Sequence, residues 1–133
     1  MDDNYVYQKS VKVREATKRG YAEAAVGDSI NLEHPNSKTR RGRVGKGVAQ
    51  TLTTSCNQAV VNGPHDESIV IRKLTPSECY KLMGFDAEDC RKCSESGVSN
   101  AQLYKQAGNS IVVNVLEAIF SKLSETYKEF ESV

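Results

Sequence analysis

The chain has 133 residues, 38% of them hydrophobic, with 18 basic residues against 17 acidic ones and a net charge of +1. That length suits one domain with its own core. No apolar run approaches the ~18 residues of a membrane span, and no charged-then-apolar signal segment opens the chain. A soluble, cytoplasmic protein with no membrane partner is expected.

The first half reads as short strands and loops. Residues 5–7 (Tyr-Val-Tyr) and 11–13 (Val-Lys-Val) alternate in the manner of strands. Gly20, Gly27, Pro35, Gly42, Gly45 and Gly47 then interrupt the chain, so strands there must be short. Residues 48–54 and 59–61 are β-prone, residues 62–66 form a turn or surface loop, and residues 68–71 are a further apolar strand.

The second half is helical. Thr75-Pro76-Ser77-Glu78 is a capping box, with Thr75 as N-cap, Pro76 at the first helical position and Glu78 reaching back. Leu74 can staple against Cys79, and Gly84 ends the helix as a C′ residue. Asp86 caps a second helix through Cys93, and a polar loop follows over residues 94–99. Ser99 caps a third helix, residues 100–107, stopped by Gly108. The last helix starts near Asn109 or Ser110. Its apolar positions Val112, Val115, Leu116, Ile119, Phe120, Leu123, Tyr127 and Phe130 follow the 3.6-residue period. The expected fold class is α+β: a short-stranded region, residues 1–71, then a helical part, residues 72–133.

Charge is unevenly placed. Lys38, Arg40, Arg41, Arg43 and Lys46 crowd one segment, whereas Glu117, Glu125, Glu129 and Glu131 gather near the end. A basic cluster in a balanced chain points to a polyanion on one face, and its bland alternative is a solvated loop. Of the four cysteines, Cys90 and Cys93 have C-x-x-C spacing. One such pair supplies half of a tetrahedral zinc set. Cys56, Cys79, His34 and His65 do not complete it at a recognisable spacing, so no metal is expected. No βαβ context supports a redox pair.

Two segments carry a family resemblance. RKLTPSECYKLMGF, residues 72–85, and QLYKQAGNSIVVNVLEAI, residues 102–119, resemble the ninth and tenth conserved motifs of DNA cytosine-5 methyltransferases, in the family's order. GKGVAQTLTTSCNQAVV, residues 45–61, resembles the end of that family's target-recognition region, with Thr51-Leu52 where the family has a Thr-Leu pair. The family's glycine-rich cofactor loop, its Pro-Cys-Gln nucleophile loop and its Glu-Asn-Val motif have no counterpart, and none of the four cysteines follows a proline.

The resemblance implies the C-terminal part of such an enzyme, an incomplete piece of a Rossmann-like methyltransferase. Methylating C5 of cytosine needs a thiolate to attack the ring, and the base must first leave the stack. Such a part would position double-stranded DNA and close the pocket for S-adenosylmethionine. It would lack any catalytic residue and be inactive alone. Asn109 and Ser110 would contact the methionine end of the cofactor, at what reads as a helix N-terminus. Arg72 would brace the recognition region against the catalytic portion. Lys38, Arg40, Arg41, Arg43, Lys46, Thr51 and Leu52 would face DNA, arginines forking onto guanine edges and lysines meeting phosphates. The partners implied are DNA, the missing N-terminal catalytic portion and, for the orphaned face of the last helix, a homodimer or the recognition strands. The alternatives are a stand-alone DNA-binding or regulatory module derived from such an enzyme, and a small zinc module on Cys90 and Cys93.

Overall fold

The computed structural model describes residues 10–63 and 69–131, with side chains described through residue 127. The strand expected over residues 5–7, most of the turn over 62–66, Ser68 and the Phe130 side chain lie outside the described residues. The elements are β1 (Val11–Arg14), β2 (Tyr21–Ala24), β3 (Ser29–Asn31), β4 (Val44–Gly45), β5 (Gln58–Asn62), β6 (Val70–Lys73), α1 (Pro76–Leu82), α2 (Ala87–Glu95), α3 (Asn100–Asn109) and α4 (Val113–Glu131). Short strands followed by helices make a mixed arrangement compatible with α+β. By its contacts the chain forms two units: Met1–Leu52 with Asn57–Leu74, and Thr53–Cys56 with Thr75–Val133.

The first unit carries a β1–β2 hairpin and a four-stranded antiparallel sheet of order β4-β3-β5-β6. Alternation along β5 sends Ala59 and Val61 inward, where they meet Val13, Ala24 and Ile30, with Val44 and Ile69 packed alongside. The strand expected over residues 48–54 is absent. Two of its carbonyls are taken by side chains instead: Ser29 Oγ donates to Val48 O at 2.7 Å and Gln58 Nε2 to Thr51 O at 3.4 Å. The strands β2, β3 and β4 are the short strands expected in the glycine-punctuated stretch, which carried no signal for their bounds.

In the second unit the local cap signals hold. Glu78 N–H donates to Thr75 Oγ1 at 3.3 Å while Glu78 Oε2 accepts from Thr75 N–H at 2.8 Å. Gly84, at φ +83°, follows the C-cap of α1. Gly84 N–H donates to Lys81 O and Phe85 N–H to Tyr80 O, both at 3.0 Å, which is the Schellman pattern. The apolar contact that accompanies this motif is Tyr80 against Phe85, ring centroids 5.5 Å apart. Burial, then the Cys93 thiol, pushes the Tyr80 hydroxyl up to about 12. It therefore keeps its proton and donates a hydrogen bond to Gln106 Oε1, tying α1 to α3. Ser99 caps α3 through Gln102 N–H. The helix α2 runs two residues past its expected end at Cys93.

Candidate nucleic-acid interface and the turn after α3

The net charge of +1 hides a division: the first unit has twelve basic residues against eight acidic, the second six against nine. The positive unit holds the basic segment, and its side chains face different ways. Arg43 is buried, 4% exposed. Its Nε and one terminal nitrogen donate to Asn31 O, and the other terminal nitrogen donates to Arg14 O at 2.9 Å and Pro35 O at 3.1 Å. Its own N–H donates to the buried Glu15 carboxylate. The expectation that Arg43 faces DNA is corrected by this geometry: its guanidinium is committed to three backbone carbonyls inside the unit and shapes the loop from within.

The other cations stay near the surface. Arg40 pairs with Glu33 at 3.0 Å. Arg41 is exposed and donates through Nε to Ala16 O at 2.9 Å. Lys38 is exposed and has no hydrogen bond or ion pair among the described residues. Lys46 donates to Glu23 O at 2.6 Å and pairs with the buried Asp28 at 2.8 Å, although two thirds of its side chain remains exposed. Thr51 is exposed and Leu52 half-buried. Arg72 is half-buried on β6, opposite Val60. The sequence reading missed Glu15 and Asp28, the two carboxylates that hold this segment in shape. Their separations of 28 and 18 residues from Arg43 and Lys46 leave no local signal.

Asp28 accepts from Lys46, from Ala25 N–H at 2.8 Å and from Gly47 N–H at 3.1 Å. Burial alone would raise its carboxyl, but these donors together hold it below the ordinary value of 3.8. A carboxyl depressed in the fold adds stability above its unfolded value, and that stability is lost as pH falls through the folded value. Asp28→Asn is therefore expected to cost about 1–2 kcal/mol at neutral pH, discounted for the exposure of Lys46. The gap to wild type should close below about pH 4. Urea midpoints for both proteins between pH 2.5 and 7 check this; a gap constant over that range would refute it.

In the second unit, Gly108 does not stop α3. The helix continues through Asn109, and Ser110 is its C-cap, with Ser110 Oγ donating to Ala107 O at 2.7 Å. Gly108 is there for another reason: a Cβ at this position would lie 2.5 Å from both the carbonyl carbon and oxygen of Thr53. Asn109 and Ser110 thus sit at the carbonyl end of a helix, not at the N–H end read from the sequence. The helix α4 begins at Val113, whose N–H is taken by Met83 O at 2.9 Å. The dipole at the end of α3 favours a cation over a carboxylate.

No group of three or more His, Cys, Asp or Glu able to hold a metal occurs among the described residues. Cys56, Cys79 and Cys90 are buried and Cys93 half-buried, and none of the four is in a disulfide. Burial, then the neighbouring Cys93, pushes the Cys90 thiol up. No helix among the described residues is long and apolar enough to cross a membrane. On α4, Val115, Ile119, Phe120, Leu123 and Tyr127 are each about half or more exposed, and the expected burial of this stripe is not found among the described residues.

The model of the C-5 cytosine-specific DNA methylase family matches residues 1–125. The orphan methyltransferase M.Rho11sI of Bacillus phage rho11s is 46% identical over 75% of this chain and 20% of its own length. The putative type II methyltransferase M.BsuMIIP of Bacillus subtilis strain 168 is 45% identical over 75% of this chain and 22% of its own. A DNA-cytosine methyltransferase of Escherichia coli K12 is 45% identical over 44% of this chain and 12% of its own. The chain spans about a fifth of the length of the first two. No solved structure matches it.

Proposed function

Because the chain belongs to the C-5 cytosine-specific DNA methylase family, we propose that it is the C-terminal part of such a methyltransferase. In this reading it presents DNA and lines the S-adenosylmethionine pocket without performing the attack on cytosine. The observation that carries the reading is the state of its thiols. The nucleophile of this chemistry must be an accessible thiolate with a lowered pKa. Here three of four cysteines are buried, Cys90 is pushed the opposite way, and none follows a proline.

Unit by unit, the supporting parts are these. The first unit offers duplex DNA the side chains of Lys38, Arg40, Arg41 and Lys46, with Thr51 and Leu52 following on the same chain. Arg72 braces this region against the catalytic portion. In the second unit, Asn109 and Ser110 fit the methionine end of S-adenosylmethionine, which supplies the methyl group when bound. The Ser110 hydroxyl donates its hydrogen bond to Ala107 O, so its oxygen lone pairs can accept from an ammonium. The exposed Asn109 amide can both donate and accept. The apolar stripe of α4 is the seat for the missing catalytic portion, whose docking would cover it.

The test is tritium transfer from labelled S-adenosylmethionine to mixed-sequence duplex DNA. The purified chain is expected to transfer nothing above a heat-killed control. Adding a separately produced catalytic portion of a relative should restore transfer. Turnover by the chain alone would overturn the reading.

A further inference from the structure

We propose that the tip of the β1–β2 hairpin is a second phosphate-contacting element, with Lys18 and Arg19 as its contacts, joined to the basic loop in one preorganised surface. The inference rests on the DNA reading above and adds residues to it that lie outside every motif quoted for the family resemblance.

Four hydrogen bonds join hairpin and loop. Ala16 N–H donates to Arg40 O at 2.8 Å. Arg41 Nε returns a bond to Ala16 O at 2.9 Å. Arg43 N–H donates to the Glu15 carboxylate, and the Arg43 guanidinium to Arg14 O at 2.9 Å. Two segments 25 or so residues apart in sequence are thus held with their backbones in contact. Lys18 and Arg19 follow Ala16 by two and three residues, which is at most about 10 Å of chain. They occupy the middle of a tight turn closed by Gly20 N–H donating to Thr17 O at 2.9 Å, with Gly20 at φ +76°. Both are exposed, and neither has a hydrogen bond or ion pair among the described residues.

The charge on the joined segments is one-signed. Residues 14–20 and 37–43 contain seven cations and a single carboxylate, Glu15; with Arg43 turned inward and Arg40 paired with Glu33, the exposed cations are Arg14, Lys18, Arg19, Lys38 and Arg41. Glu15 is buried and turned onto the Arg43 backbone, so it does not offset the outer face. Arg41 is pinned by Nε alone, which leaves its terminal nitrogens free to fork onto a phosphate. Cations carried on backbone held in this way suit the phosphates of a duplex, since little backbone ordering is left to be done on binding.

The experiment is fluorescence anisotropy of labelled duplex DNA titrated with the chain at several salt concentrations. Wild type should bind at about 10⁻⁴ to 10⁻⁶ M near physiological salt. Lys18→Gln/Arg19→Gln, a change at exposed turn positions checked for folding by circular dichroism, should shallow the log–log salt slope by about 1.8. Lys122→Ala, on α4, should leave the slope unchanged. If Arg40→Ala/Arg41→Ala weakens binding and the hairpin variant binds as wild type, the inference fails and the DNA reading stands. If wild type does not bind, or if no variant differs from it, both fail. An equal loss for Lys122→Ala would reduce the effect to bulk charge and also overturn the inference.

Discussion

Arg43→Ala is expected to destabilise the first unit by about 3 kcal/mol, whereas Arg40→Ala, three residues away, should cost less than about 1 kcal/mol. The contrast comes from where each guanidinium ends. Arg40 meets Glu33 at a partly exposed site, and water replaces either partner at little loss. Arg43 is 4% exposed and serves the carbonyls of Asn31, Arg14 and Pro35. Its removal leaves those acceptors unserved in a place where water enters poorly, and an unserved buried group costs about 1–3 kcal/mol. It also leaves a void the length of an arginine stem. Amide exchange of β1, β3 and β5 reads the difference locally. Equal, small losses of protection in the two variants would show that Arg43 is as dispensable as its neighbours.

Gly108→Ala should be destabilising by about 2 kcal/mol, opposite in sign to the usual gain of a glycine-to-alanine change inside a helix. Helix propensity alone predicts a gain of about 0.8–1.0 kcal/mol. Against it stands the new methyl group, placed 2.5 Å from the Thr53 carbonyl and 2.6 Å from Thr54 N. The obstacle is backbone, which cannot rotate aside as a side-chain end would, so α3 must lift or the Thr53–Cys56 segment must move. A thermal midpoint lowered by roughly 5 °C or more is the expected reading. The control is Lys105→Ala on the exposed side of the same helix, expected within about 0.5 kcal/mol of wild type. A raised midpoint for Gly108→Ala would mean the close approach does not exist.

These two residues also mark where sequence legibility ended. Capping is a matter of three or four neighbouring residues, so Thr75 with Glu78, Gly84 and Ser99 could be read directly, and each is found in its role. Gly108 looked like the same kind of signal. Its cause is Thr53, 55 positions earlier, and nothing within a helical turn of Gly108 distinguishes a stop from a close approach. Arg43 looked like its basic neighbours for the same reason. Whether a guanidinium faces water or three carbonyls depends on Arg14, Asn31 and Pro35, which the chain brings near it only after folding. The helix mouth expected at Asn109 and Ser110 was misplaced by the same error, since a helix that ends two residues later presents its opposite pole there. Short strands were expected between Gly20 and Gly47, but β2 to β4 could not be placed, because two to four residues carry too little alternation to be told from loop.

The place of Thr53–Cys56 bears on the order in which the protein is born. A ribosome adds about 5–20 residues per second, so the seat on α3 follows Thr53 by roughly 3–11 s. In that interval the flanking chain can already close its own unit, through Leu32 N–H to Asn57 O and Leu74 N–H to Gln58 O. The segment would then wait as a preformed ledge, with Cys56 N–H turned back onto Thr53 O, and the later helices would fold onto it. The two units are therefore not severable at a single peptide bond. A gene cut between residues 74 and 75 would give each product a scar: one with a ledge and nothing on it, the other with a glycine in a helix and nothing beneath it.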